Sequence, residues 1–227
     1  MEKDQKVLVG LILGILVIAL GIVLYLVIIK KDDSTDALKF KREYESLNNK
    51  TNEITKEKYL NVNINKNNVF VYKTDRDILD VMESEEAIIY FGYKESNSSR
   101  GLVSVLNNAA KENGINKVYY VDITNIRDEY EVIDGTISKI KNGTDYYYTL
   151  LNKMDSFLHE YYITDSNDDS YNSGEKRLFA PTVIAVKDGN VVGFYEGIIS
   201  ETDSYKTSSA QKDNLRIILN ELIQKIN

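Results

Sequence analysis

The stretch Phe179-Ala180-Pro181-Thr182-Val183-Ile184-Ala185-Val186-Lys187-Asp188-Gly189-Asn190-Val191-Val192-Gly193 decides the architecture, and Pro181 is the only proline in the chain. Proline cannot donate to a sheet ladder, so it belongs at the first residue of a strand or at an edge. The apolar run after it breaks at Asp188-Gly189 and resumes at Val191. That pattern predicts two antiparallel strands joined by a tight turn. An X-Pro bond is also the one place where a cis peptide costs little. Pro181 is therefore expected to open a hairpin and to shape the surface beside it.

Working outward, Ala87-Ile88-Ile89-Tyr90-Phe91 is almost continuously apolar, as in a central strand covered on both faces. A helix follows, capped by Ser98 or Ser99. It buries Leu102, Val103, Leu106, Ala109 and Ala110 and stops at Gly114. Residues 117–123 read as the next strand, giving a βαβ unit with a parallel pair. Upstream, residues 59–64 alternate apolar and polar, residues 69–72 form a short strand, and Thr74 opens a helix over Ile78, Leu79 and Met82. Downstream, a helix is predicted over 144–162, rich in tyrosine, within an insert spanning about 124–178. A polar loop at 164–176 leads to the hairpin. A last helix, capped by Ser208 or Ser209, turns Leu215, Ile218, Leu219, Leu222, Ile223 and Ile226 inward. The fold class is α/β.

That order, with a proline opening the hairpin, resembles the thioredoxin-like fold. The likeness is carried by Ala87-Ile88-Ile89-Tyr90-Phe91-Gly92, by Tyr120-Val121-Asp122 and by Ala180-Pro181-Thr182. More narrowly it is similar to membrane-anchored thioredoxin-like proteins of Gram-positive bacteria of the bacteriocin transport accessory type. It covers residues 59–227. In that family the Phe-Gly strand end is followed by Cys-x-x-Cys-Arg. Here the same positions hold Ser96, Asn97, Ser98, Ser99 and Arg100. The resemblance implies a polypeptide-binding groove lined by Ser96, Asn97, Ser98, Ser99, Arg100, Ala180, Pro181 and Thr182. It also implies that thiol–disulfide exchange is lost, because a serine hydroxyl caps a helix but is no thiolate nucleophile. Asn97 and Ser98 replace the proline and aromatic usual between the cysteines. That favours natural loss over a thiol–disulfide oxidoreductase whose two cysteines were exchanged in the laboratory. A third reading is a structural subunit of a membrane complex, docking through the tyrosine-rich insert.

Ahead of the domain, residues 7–29 carry no charge or strong polar group. Such a run spans about 30 Å of hydrocarbon, and it lacks the small-residue cleavage site of a secretory signal. A single-pass anchor is expected, with a short tail at 1–6 and a polar, partly helical stalk at 30–58. Gly10 and Gly14 match a helix-dimer spacing, reinforced by Gly21 on the same face. Lysines and arginines on both sides leave orientation open, since long domains translocate regardless of charge. The family likeness places the domain outside the cytoplasmic membrane of a bacterium.

Net charge is −7, from 35 acidic against 28 basic residues. With no basic stripe this argues against nucleic acid. The expected partners are a polypeptide client or a membrane protein. The absence of cysteine removes disulfides, thiolate catalysis and cysteine-held metals, and no cofactor is expected. The sole histidine, His159, lacks a second histidine four residues on and reads as structural. Asp165, Asn167 and Asp169 have the spacing of a calcium loop but lack its glycine and glutamate, so a solvated acidic loop is expected.

Overall fold

The computed structural model describes residues 35–165, 167–197 and 209–226. The apolar run at 7–29 with its three glycines, and Ser208, lie outside them. Among the described residues no helix is long and apolar enough to cross a membrane.

The elements run α1 (Asp36–Glu45), β1 (Phe70–Tyr72), α2 (Asp75–Ser84), β2 (Ala87–Gly92), α3 (Asn97–Glu112), β3 (Val118–Asp122), β4 (Glu129–Ile133), β5 (Thr136–Lys141), α4 (Asp145–Met154), β6 (His159–Thr164), β7 (Ser170–Arg177), β8 (Thr182–Lys187), β9 (Asn190–Glu196) and α5 (Ser209–Ile223), which ends in a single 3₁₀ turn, Gln224–Ile226. Five strands form one sheet in the order β1-β3-β2-β8-β9. β1 and β2 lie parallel to β3. β8 joins β2 antiparallel, and β9 joins β8 antiparallel. The expected βαβ unit is β2-α3-β3. The expected hairpin is β8–β9, turning at Asp188 and Gly189, both at positive φ, as a two-residue primed turn requires.

β2 is apolar throughout because both of its faces are buried. Ile88 and Tyr90 point into a core shared with α1, α3 and α5. Ala87, Ile89 and Phe91 point into a second core shared with α2 and α4. This is the period-2 alternation of a strand between two layers.

Several sequence readings are corrected. The segment taken as stalk contributes α1, whose Phe40 and Tyr44 are completely buried. Phe40 stacks on Tyr44 and Phe70 at 4.4 and 4.1 Å between ring centroids. Residues 59–64 form no strand. Val62 and Ile64 are buried as the alternation predicts, but side chains satisfy the backbone. Leu60 N–H donates to Asn97 Oδ1 (2.7 Å), Val62 N–H to Asn48 Oδ1 (2.9 Å) and Ile64 N–H to Glu45 Oε1 (2.9 Å). The helix predicted over 144–162 ends at Met154, and His159–Thr164 is strand β6, paired with β7. The hairpin β4–β5 was not predicted. On α5, Leu219, Leu222 and Ile223 are buried, whereas Ile218 is exposed.

Candidate functional site

Phe91 pairs with Thr182 across β2 and β8. The loop leaving β2 and the turn entering β8 therefore meet at one end of the sheet. The first carries Tyr93 and Ser96, the second Phe179, Ala180 and Pro181, with a cis Ala180–Pro181 bond. Asp122, at the end of β3, pairs with Gly92 and lies at the same end.

Helix α3 starts earlier than predicted. Ser96, not Ser98 or Ser99, is its N-cap, with Oγ accepting from Ser99 N–H at 3.1 Å. A cap of this kind occupies one of the four orphan donors of a helix start. Asn97 also acts within the chain: its amide accepts from Leu60 N–H and donates to the Lys58 carbonyl at 3.1 Å.

Ser99 and Arg100 do not line a surface. Ser99 is buried, with its hydroxyl set against Tyr90 but completing no hydrogen bond. Tyr90 in turn bonds Tyr44 of α1, 2.9 Å between hydroxyl oxygens. Burial pushes both phenols above their ordinary range, so they stay neutral. Arg100 is only 1% exposed. Its guanidinium donates to the carbonyls of Leu60 (2.5 Å), Tyr44 (2.7 Å) and Lys94 (3.2 Å) and to Asn48 Oδ1 (2.8 Å). It staples α1 and the 48–60 segment to the start of α3.

On the β8 side, Thr182 is buried and its hydroxyl donates to the Phe179 carbonyl at 2.7 Å. It lies in an interior strand, in register with Phe91 on one side and Glu196 on the other. The Pro181 carbonyl accepts from Gly197 N–H at 2.9 Å. Of the residues assigned to a groove, Ser96, Asn97, Ser98 and Ala180 are partly exposed, and Ser99, Arg100, Pro181 and Thr182 are buried.

Three features of this end were missed. Arg127, in the loop after β3, places its guanidinium 5.3 Å from the centre of the Tyr93 ring. Arg177, the last residue of β7, stacks 4.1 Å over Tyr161, and Tyr161 meets Phe179 edge-on at 5.9 Å. Glu196 ends β9 with a side chain 4% exposed, and neither carboxylate oxygen completes a hydrogen bond. Burial raises its pKa above the ordinary carboxylate range. His159, 3.8 Å away, and the Phe179 N–H draw it partly back. Only the residue types signalled these groups, because each contact involves a residue of the insert, whose path the sequence did not show.

His159 lies on a strand and is 65% exposed. The Asp165 carboxylate accepts from Asn167 N–H (2.8 Å) and Asp169 N–H (3.0 Å), closing its own loop. Among the described residues, no group of three or more histidine and acidic residues could hold a metal.

No family model matches the chain, and neither a curated protein nor a solved structure matches it.

Proposed function

We propose that this chain is a membrane-tethered, thioredoxin-like binding module without thiol chemistry, which holds a polypeptide client or a membrane protein partner outside the cytoplasmic membrane. The supporting observation is the meeting of the Ser96 helix cap and the Pro181 turn at adjacent strand ends of a β1-β3-β2-β8-β9 sheet. That juxtaposition is what the resemblance calls for, with hydroxyls where the dithiol would stand. Thr182 is flanked by strands on both sides, so the client does not add a strand there. It contacts the side chains left open: Ser96, Ser98, Ala180, Phe179 and Tyr93.

The chain has no cysteine, so a Ser98→Cys variant carries one label at the proposed contact. An environment-sensitive fluorophore on that thiol, in the full chain in detergent micelles, is expected to respond saturably to extended peptides. The same label on an Asn190→Cys variant, at the exposed first residue of β9, is expected to stay silent. No saturable response at position 98, or equal responses at both, overturns the reading. Sidedness is tested with Ser170→Cys, an exposed position on β7. A membrane-impermeant maleimide is expected to label it in intact cells. Labelling only after lysis places the domain in the cytoplasm and overturns that part.

A further inference from the structure

Residues 60–64 form an extended segment that is paired along one edge only, and its partners there are side chains. Val62 is held at both backbone groups by one amide: its N–H donates to Asn48 Oδ1 (2.9 Å) and its carbonyl accepts from Asn48 Nδ2 (2.7 Å). Two residues on, Ile64 N–H donates to Glu45 Oε1 and its carbonyl accepts from Lys41 Nζ, both at 2.9 Å. Two residues back, Leu60 N–H donates to Asn97 Oδ1 (2.7 Å) and its carbonyl accepts from Arg100 Nε (2.5 Å). An extended chain directs the backbone groups of successive residues to opposite edges. Asn61 and Asn63 therefore present theirs on the edge away from α1, and among the described residues those groups make no hydrogen bond. A cleft runs beside this segment. About 410 Å³ of space lies between residues 60–63 and α5, over a floor of Gly101, Ser104 and Asn108 on one face of α3. A further hollow of about 290 Å³ along residues 63–65 continues it, sharing Asn63, Ser104 and Asn108.

We infer that this edge is a strand-addition site, where an extended segment of a polypeptide client lies in the cleft and pairs with the backbone of Asn61 and Asn63. The inference rests on the polypeptide-binding reading for the class of partner, and it supplies the open edge that Thr182 lacks. An unpaired row of N–H and C=O groups is matched by another extended backbone, whatever its side chains. The exposed charges of the cleft balance, Lys212 and Arg216 against Glu112 and Asp213, so neither an acidic nor a basic client is selected. The short side chains of the floor leave room for those of an incoming strand. With α5 walling the far side, the cleft suits one inserted strand rather than edge-to-edge pairing of two copies. It also continues the contact surface proposed above. Asn97, next to the Ser96 cap, accepts from Leu60 N–H and donates to the Lys58 carbonyl, so a client crossing Ser96 and Ser98 is led onto this edge.

The test is amide hydrogen exchange of the full chain in detergent micelles, read residue by residue by NMR. The probes are a five-residue peptide of alternating threonine and valine, blocked at both ends, and the same peptide with every amide nitrogen methylated. Without peptide, the Leu60, Val62 and Ile64 amides are expected to exchange more slowly than those of Asn61 and Asn63; equal rates overturn the one-edged pairing. Saturating peptide is expected to slow Asn61 or Asn63 by at least about ten-fold, and the methylated peptide to leave both unchanged. Asn63→Pro deletes an N–H that the fold does not use and is expected to weaken peptide binding by about five-fold or more. Asn63→Ala keeps the N–H and is expected to bind like the parent. An extended backbone accepts proline, so the unliganded unfolding temperature of Asn63→Pro is expected to equal or exceed that of the parent. Ser104→Tyr fills the cleft from α3 without touching residues 60–64 and is expected to abolish the peptide's protection. A peptide that moves the Ser98 label but protects neither asparagine amide overturns the inference and leaves the polypeptide reading intact. Protection of those amides with a silent Ser98 label supports the inference and overturns the Ser98 contact. No binding at either place overturns both. Equal binding of the methylated peptide overturns backbone pairing, and concentration-dependent protection without peptide overturns the client in favour of a second copy of the chain.

Discussion

Arg100 shows how a buried charge is held without a counter-ion. Three of its four acceptors are backbone carbonyls, from residues 44, 60 and 94, and the fourth is the Asn48 amide oxygen. Burial lowers its pKa, but a guanidinium titrates so high that it stays charged, and the carbonyl dipoles replace its lost hydration. Arg100→Leu keeps much of the apolar bulk and orphans those acceptors. At roughly 1–3 kcal/mol per buried polar group left unpaired, the variant is expected to lose about 3 kcal/mol or more, read as a lower urea midpoint. The neighbouring serines separate in the same way. A cysteine placed at Ser96, partly exposed at the helix N-terminus, is expected to react with a thiol reagent in the folded protein. One at Ser99, sealed under α1 beside Tyr90, is expected to react only on unfolding; equal rates would remove the burial argument. The sequence reading recognised both serines as special. That Arg100 faces inward is not legible locally, because the Leu60 and Tyr44 carbonyls that hold it lie 40 and 56 positions away.

Helix α1 belongs to the domain through two aromatic side chains. Phe40 and Tyr44 are one turn apart and bury against Phe70, Tyr90 and Tyr120, while the rest of the helix is polar enough to read as a stalk. Its start is fixed by Thr35, whose hydroxyl accepts from Leu38 N–H. Phe40→Ala is expected to destabilise the domain by about 3–5 kcal/mol, measured by chemical unfolding. A change within about 0.5 kcal/mol, usual for an exposed site, would return the segment to a stalk. Legibility elsewhere followed the same physics. β2, α3 and the β8–β9 hairpin were readable because each has a strong apolar period bounded by turn residues. The β4–β5 hairpin carries the same signal at Asp134-Gly135, both at positive φ, but its strands are half polar and sit outside the main sheet. β6 reads as helix in the sequence because Tyr161 and Tyr162 continue an aromatic run that begins in α4. Its partner β7, Ser-Tyr-Asn-Ser-Gly-Glu-Lys-Arg, has almost no apolar residues to betray a strand.

At the scale of the whole molecule, one sheet is buried on both faces and its ends hold the charges the cores cannot take. Glu196 is the clearest strain in that arrangement. It ends an edge strand with its carboxylate enclosed and both oxygens without a completed hydrogen bond, and burial raises its folded-state pKa. The unfolded chain binds that proton only below the ordinary carboxylate value, about 4.3. Between that pH and the raised folded value, the folded state holds more protons than the unfolded one, so stability falls as pH rises through the window. Below the window the penalty is absent. His159, at 3.8 Å, favours the carboxylate when it carries charge, but it is 65% exposed and solvent screens the pair. Glu196→Gln makes the site permanently neutral at nearly constant volume. The variant is therefore expected to melt at a higher temperature than the parent near pH 7 and to converge with it near pH 4. A parent that is more stable than the variant at neutral pH would mean that the ionised carboxylate is stabilised there, and that Glu196 has a partner in the folded chain stronger than His159.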